Sequence, residues 1–308
     1  MLRIGLVTSS SVLQSGGDQD ILTIHSTMLG SGLDSAIVAW DDDVNWRDFD
    51  CVILRSPWDY SQRFDEFSNW LKDVSAHTRV ANSPELVHWN LDKRYLFDLA
   101  DRGIAVVPST LCPDLTTCRD AIKAHSGMIV VKPTISNGSQ QTGLFAVGDP
   151  LALTLCEEIL ACGKQVLVQP AIDAIQHDAE RCLLFFAGEF SHAFQKCAIL
   201  EAGGGYRGGE SRTTTRPATV SSEEVRLAQR TLAVIGTIAE DCGWSKDAQT
   251  PLYARVDVVT PEDGNPLLLE AELFEPYFHL RHSQGSADRF VRAVHRQLAA
   301  KTQTQSSL

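Results

Sequence analysis

Residues 252–276, LYARVDVVTPEDGNPLLLEAELFEP, carry two β-like runs flanking the turn-forming Pro261-Glu262-Asp263-Gly264-Asn265-Pro266, and so read as a hairpin. Side chains alternate faces along a strand. Arg255 and Asp257 therefore share one face, as do Glu270 and Glu272 on the partner run. If Asp257 lies opposite Glu270, which the turn length permits, all four converge on one side. The other side then carries Val256, Val258, Leu267, Leu269, Ala271 and Leu273, an apolar set suited to a core. Three carboxylates on one face repel unless a cation sits between them. Hard oxygen ligands at this density suit Mg²⁺, which keeps waters and binds substrate phosphates beside its carboxylates. An exposed face of solvated acids is the competing reading, and the remainder of the chain has to separate the two.

The chain of 308 residues is long enough for two or three compact units with a large core. Hydrophobic content of 44% with 21% charged residues describes an ordinary globular protein. A net charge of −12 argues against a general nucleic-acid or anionic-membrane surface, while leaving room for a local basic pocket. The amino terminus has an apolar run too short for a signal peptide, and no stretch is long enough to cross a bilayer. Eight cysteines without a C-x-x-C pair or zinc-like spacing read as reduced, mostly buried thiols of a cytoplasmic protein.

Working outward, 2–8, 35–40 and 51–55 read as strands of a small open α/β domain, with 9–20 as a polar loop opening a helix near Asp20. No G-x-G-x-x-G follows the first strand and no P-loop occurs anywhere. Arg55-Ser56-Pro57-Trp58-Asp59-Tyr60 sits at the carboxyl end of a strand, where ligands of open α/β sheets bind. Arg55 there offers a planar fork for a carboxylate or phosphate, with Asp59 beside it. A structural turn packing Trp58 and Tyr60 is the alternative. A helix is expected over 90–102 with Lys93 near its first turn, and a buried strand over 128–133 ending in Lys132 before the polar, glycine-containing loop 134–143. Such a loop with a lysine beside it resembles a polyphosphate cradle, although a lysine before a surface turn is commonplace. A strand over 165–169 is broken by Pro170, which suggests a hinge between lobes. A second hairpin over 181–199 has Glu180 before it and Lys196 near its end. The segment GGGYRGG, residues 203–209, with Arg207 inside it and Arg212 and Arg216 after it, reads as a loop that closes over a bound phosphate. Ser221 with Glu224 forms a capping box for a helix to about Cys242, and a last helix is expected over 286–300. His88, His192, His279 and His282 lack ligand spacing.

Taken in order, Lys93 in NLDKRYLFDLADRGIAVVPS, Lys132 in VVKPTISNGSQQTG, the segment VLVQPAI, Glu180, Lys196, ARVDVV and LLLEAE resemble the ATP-grasp superfamily. Trp40-Asp41-Asp42-Asp43, RSPWDY and WNLDKRYL narrow the resemblance to a subgroup containing the cyclo-ligase of D-cycloserine biosynthesis, which closes O-ureido-D-serine into a ring using ATP. The resemblance implies an α/β plus α+β architecture. An N-terminal open α/β substrate domain (1–84) would precede a small lobe (85–170) and a large C-terminal lobe (171–308), the two lobes clamping ATP. It implies that Lys93, Lys132 and Lys196 bind phosphates, that Gln169, Pro170, Ala171 and Ile172 line the adenine hinge, and that Glu180 meets the ribose. Asp257, Glu270 and Glu272 would hold Mg²⁺, two ions by analogy, with Glu272 standing where relatives carry Asn. Arg255 and Arg207 would steady developing charge, and Arg55 and Asp59 would meet an amino-acid-like substrate. The chemistry implied is carboxylate phosphorylation followed by amine capture, in a cytoplasmic homo-oligomer without nucleic-acid or membrane partners. The alternatives are a dipeptide or glutathione-type ligase and a catalytically silent ATP-binding regulator.

Overall fold

Four parallel strands, β1 (Arg3–Thr8), β2 (Asp34–Ala39), β3 (Cys51–Ser56) and β4 (Arg79–Ala81), form the first sheet in the order β2-β1-β3-β4. The computed structural model describes residues 2–173, 175, 180–197, 200–203, 205–206 and 214–305. A parallel sheet is covered on both faces, which is why RIGLVT and CVILRS are near-continuous buried runs rather than alternating ones. The expected polar loop 9–20 instead contains a short helix, Ser10–Ser15, before the helix Gln19–Gly30. Its six residues carry little helical signal of their own. Asp41 and Asp42 hold its first residue from across the sheet, through Ser10 N to Asp41 (2.9 Å) and Ser10 Oγ to Asp42 (3.1 Å).

The second sheet is antiparallel: β5 (Thr110–Cys112), β6 (Met128–Pro133), β7 (Gly143–Ala146) and β8 (Val166–Pro170), in the order β5-β8-β6-β7. Helices Leu115–Ala124 and Pro150–Ala161 bury Cys118, Ile122, Cys156 and Ile159 against it. Pro170 does not end the pairing, because Ala171 N still donates to Met128 O (2.9 Å). The core of this lobe comes from residues after about 110. Of the residues before β5 expected to belong to it, Leu86, Tyr95, Leu96, Leu99 and Ile104 join the core of the large lobe, and Val87 and Leu91 join that of the first domain. The single helix expected over 90–102 is two, Pro84–Asn90 and Tyr95–Asp101. Lys93 lies in the break, where its N–H donates to Thr134 O (2.8 Å).

The third sheet joins β9 (Glu180–Phe186) and β10 (Glu189–Lys196) to later strands; β11 (Leu200–Glu201) pairs only with β12 (Gly205–Tyr206). With β13 (Thr215–Pro217), β14 (Tyr253–Val259) and β15 (Leu267–Glu272), its order is β13-β10-β9-β14-β15. Helix Ser222–Asp241 starts with both halves of the Ser221/Glu224 capping box and packs Ala228, Ile235 and Ala239 on the Val256 face. The last helix, Ser286–Gln305, brings Phe290 and Val294 into a core shared by Ile4 and Leu6 of the first sheet and Phe186 and Tyr253 of the third. None of the helices among the described residues is long and apolar enough to cross a membrane.

The hairpin of β14 and β15 has the anticipated register, Arg255 opposite Glu272 and Asp257 opposite Glu270. Beyond that pair Val258 faces Leu268, so Leu269 is a bulge residue. The extra residue reverses the alternation: Leu268, not Leu267 or Leu269, is the one fully buried with Val258. Strand β15 is the last of its sheet, and its outer groups are covered by the backbone of residues 105–107 at Leu268 and by side chains beyond it. Ala271 N donates to Tyr95 Oη (2.8 Å), Asn90 Nδ2 donates to Ala271 O (2.9 Å), and Leu273 N donates to Asn90 Oδ1 (2.8 Å). Truncating Asn90 strands a buried donor and a buried acceptor, each costing about 1–3 kcal/mol. Asn90→Ala is therefore expected to lower stability by ~2–4 kcal/mol, read from the midpoint of urea unfolding. A midpoint unchanged from wild type would mean that β15 does not depend on this clamp.

Candidate functional site

The polar face of the third sheet is built around two fully buried charges. Arg255 and Asp257 are each 0% exposed. A buried ion is tolerated only when paired and hydrogen-bonded. Arg255 Nε donates to Asp257 Oδ1 (2.8 Å), Arg255 Nη2 donates to Asp257 Oδ2 (2.8 Å), and Arg255 Nη2 also pairs with Glu272. Lys196 Nζ bridges Asp257 Oδ2 (3.2 Å) and Glu180 Oε1 (3.1 Å). Burial alone would raise the Asp257 carboxyl, and Arg255 and Lys196 instead hold it well below the usual carboxylate range. One strand further out, Glu270 meets Lys93 Nζ at 3.1 Å. Burial pushes its carboxyl up, but Lys93 and Lys132 bring it below its ordinary value.

These residues form one wall of a cleft with about 1120 Å³ of empty space, its open mouth included. The opposite wall comes from the second sheet. Lys132, at the end of β6, reaches the cleft, and Gln169, Pro170, Ala171 and Ile172 line it beside Val107 and Val130. Gln169 is fixed by its Nε2 donating to Ser109 Oγ (2.6 Å). The loop 134–142 covers one end, with left-handed backbone at Gly138, Ser139 and Gln141. Lys93 Nζ donates to Ser136 O in that loop (2.7 Å). Lys132 Nζ has no hydrogen-bond partner among the described residues, and burial, against the opposing pull of Glu270, brings its pKa down to about 8. A buried, unpaired ammonium facing an open cleft is suited to an anion that arrives from outside.

All eight residues expected to bind nucleotide therefore line one cleft: Lys93, Lys132, Gln169, Pro170, Ala171, Ile172, Glu180 and Lys196. Glu270 and Glu272 line it too, but Asp257 does not, since its oxygens are taken by Arg255 and Lys196. Arg255 is likewise sealed beneath the wall, where it orients two acids rather than facing the cleft. Arg55 is also 0% exposed, stacked 3.6 Å from the Phe278 ring centroid, with Nη2 donating to Pro276 O (3.2 Å). Asp59 is committed to structure: it accepts from Trp40 Nε1 (2.9 Å) and Arg63 Nη1 (3.2 Å). Neither Arg55 nor Asp59 lines the cleft, so the RSPWDY signature acts here through its turn. Arg207 lies outside the described residues. Ser136, Asn137, Leu269 and Glu275 are cleft residues that sequence reasoning did not single out. The bulge brings in Leu269; Glu275 lies past the end of β15, where strand alternation no longer applies.

Mg²⁺ takes hard oxygen ligands, commonly one or two carboxylates with waters and phosphates. Glu270 and Glu272 supply that set at the cleft wall. Glu180, Cys182 and Asp257 bring one ligand atom each within 4.8 Å of one another. Burial pushes the Cys182 thiol well up, which keeps it protonated and makes this trio a poor magnesium site.

Residues 4–82 match the family model described as the N-terminal domain of D-cycloserine synthetase DcsG. The cycloserine biosynthesis protein DcsG of Streptomyces lavendulae is 34% identical over 290 residues, which cover 90% of this chain and 93% of that protein. The crystal structure of D-cycloserine synthetase DcsG superposes with a TM-score of 0.86 at 30% identity, over 96% of this chain and 99% of that one. A D-alanine–D-alanine ligase from Bacillus anthracis complexed with ATP shares the fold, with a TM-score of 0.63 at 14% identity over 100% of this chain and 99% of that one.

Lys132 gives a test with a defined sign. Its folded-state pKa, about 8, lies below the ordinary 10.5, so the unfolded chain binds more protons between those values. Stability from this group therefore rises as pH climbs from about 8 to 10.5, and the full penalty is present below 8. Lys132→Met removes that penalty. The ligand-free variant is expected to melt at or above the wild-type temperature at pH 7, with the gap closing toward pH 10.5, while ATP binding weakens at least ~10-fold. A large drop in melting temperature with unchanged ATP affinity would make the lysine structural.

Proposed function

The chain belongs to the ATP-grasp ligases, in the family of D-cycloserine synthetase, and from that premise we propose that it closes an amino-acid derivative of the O-ureido-D-serine type into a five-membered ring. The observation that carries this reading is the cleft itself, with three lysines and a pair of carboxylates lining a hinge-backed cavity beneath a glycine-containing loop. ATP is the nucleotide implied by the family, and Mg²⁺ held by Glu270 and Glu272 would neutralise and orient its phosphates.

Lys93, Lys132 and Lys196 would hold the phosphate chain by charge-assisted hydrogen bonds, and Gln169 to Ile172 would bear the adenine. Glu180, tethered by Lys196, lines the cleft and would meet the ribose. Arg255 acts as a positioning residue, since it keeps Asp257 ionised and orients Glu272, whose carboxyl burial pushes well above its ordinary range. With the substrate so placed, one carboxylate oxygen attacks the γ-phosphorus and the bond to the β-phosphate oxygen breaks, leaving an acyl phosphate and ADP. The oxygen-bound nitrogen of the ureido group then attacks the acyl carbon, loses a proton and expels inorganic phosphate, closing the five-membered ring with the carbamoyl group still on that nitrogen. Positioning and electrostatics supply most of the acceleration, and ring closure adds the benefit of an intramolecular nucleophile. Eight free thiols, five of them buried, support the reducing environment of cytoplasm.

Two measurements test this. With O-ureido-D-serine as the sole substrate besides MgATP, ADP and a cyclic product are expected; if turnover requires a second amino acid, a peptide-type ligase takes its place. With ¹⁸O in the substrate carboxylate, one label is expected in the released phosphate, and unlabelled phosphate would exclude the acyl phosphate. Glu270→Gln, which removes ligand charge at nearly constant shape, is expected to lower kcat by more than ~100-fold with the far-UV spectrum and melting curve intact. Full activity in that variant would remove Glu270 from the metal site.

A further inference from the structure

Every acid in or just beneath the cleft wall but one is paired with a cation among the described residues. Glu180 pairs with Lys196, Asp257 with Arg255 and Lys196, Glu270 with Lys93, and Glu272 with Arg255. Glu275 has no ion-pair partner among the described residues, and its Oε2 meets no hydrogen-bond donor there. The residue is 7% exposed and lines the cleft. Its place is set by the N-terminal domain. Trp58 Nε1 donates to the Glu275 carbonyl (2.9 Å), Arg55 Nη2 donates to the next carbonyl, of Pro276 (3.2 Å), and the Tyr60 hydroxyl is within hydrogen-bond reach of the carboxyl. Burial, with Glu270 nearby, brings the carboxyl pKa up to about 8, so the spot lacks positive charge rather than having it in excess.

A buried carboxyl with one oxygen left without a donor and no cation beside it, at the edge of a binding cleft, is a recognition group for a cation. It stands on the side of the N-terminal domain, beyond the two acids that suit the metal. Resting on the ligase reading above, we propose that Glu275 anchors the α-ammonium of the substrate, so that the enzyme selects carboxylates bearing a free amine other than the one that closes the ring. The ammonium brings the charge and donors that the buried carboxyl lacks, and fixing it aims the neighbouring carboxylate along the cleft toward the lysines. Substrates whose amine is acylated or replaced by hydrogen would leave Glu275 buried without a partner, which is the more costly mismatch.

The test compares O-ureido-D-serine with its desamino counterpart, on wild type and Glu275→Gln, by ADP release. Wild type is expected to lose ~10- to 100-fold in kcat/KM when the amine is absent. Glu275→Gln is expected to lose a similar factor on the amine-bearing substrate, mainly through KM, and to lose nothing further on the desamino compound. The KM for MgATP and the Mg²⁺ half-saturation are expected to stay at wild-type values. Equal impairment on both substrates would make Glu275 structural, and a shifted Mg²⁺ half-saturation would make it a metal ligand; either overturns the assignment. Should Glu275→Gln fail to fold, Glu275→Asp, which keeps the charge one methylene further back, is scored by the same ratio. Wild type indifferent to the amine sinks this proposal and leaves the ligase reading standing, whereas absence of ADP from both compounds sinks the ligase reading and this with it.

Discussion

The buried Arg255–Asp257 pair is the constraint on which the rest of the site depends. Two full charges beneath a five-stranded sheet are tolerable only when every neighbour helps to compensate them. Glu272 does so from the adjoining strand β15 and Lys196 from β10, one strand beyond β9, and through Lys196 the network reaches Glu180. The consequence is an array of acids and lysines ordered before any ligand arrives. Reorganisation is thereby removed from the catalytic step, which is where preorganised electrostatics has its effect.

That array is held from behind by packing and from the side by unusual edge protection. Strand β14 is buried on both faces because Leu183, Phe185 and Val256 join one core while Leu184, Phe186 and Tyr253 join another. On its outer side strand β15 is met by backbone at Leu268, whose N–H donates to Ala105 O (2.7 Å) and whose carbonyl accepts from Val107 N (2.9 Å), and further along by side-chain hydrogen bonds of Asn90 and Tyr95. Asn82 contributes a similar clamp, its amide donating to Tyr253 O (2.8 Å) and its carbonyl oxygen accepting from Leu252 N (2.5 Å). Helices from the middle of the chain thus fix the wall on which the acids stand.

The N-terminal domain is bound into the same structure by polar contacts as well as a shared core. The turn after β3 meets the loop 134–142 through Ser61 Oγ to Asn137 Oδ1 (2.9 Å), Asn137 Nδ2 to Trp58 O (2.5 Å) and Gln62 Nε2 to Gln140 Oε1 (3.2 Å). The loop that covers the cleft is therefore tied to the domain expected to present the substrate. Lys93 touches both the loop and Glu270, which links nucleotide side and acid wall through one ammonium.

The sequence by itself determined the elements whose signal is local. Two-residue alternation placed Arg255 with Asp257 on one face of β14 and Glu270 with Glu272 on one face of β15, while the bulge rather than the turn brings Asp257 opposite Glu270. Serine and glutamate three apart announced the helix at Ser222. The ordered lysines and hinge residues marked the cleft through family resemblance, and they do line one cavity. What tertiary structure alone decided lies where distant segments meet. The bulge at Leu269 breaks alternation, and the break before Tyr95 frees Lys93 from a helix so that it reaches Thr134 and Ser136. Asp59 has the chemistry of a ligand contact yet is taken up by Trp40 and Arg63, and Arg55 lies away from the cleft against Phe278, with Nη2 on Pro276 O and its Nε and Nη1 without a partner among the described residues. Glu275 follows a strand and precedes a proline, and nothing local distinguishes it from a solvated acid. Its backbone is held by Trp58, 217 residues away in the chain, so only folding sets it in the buried cleft wall.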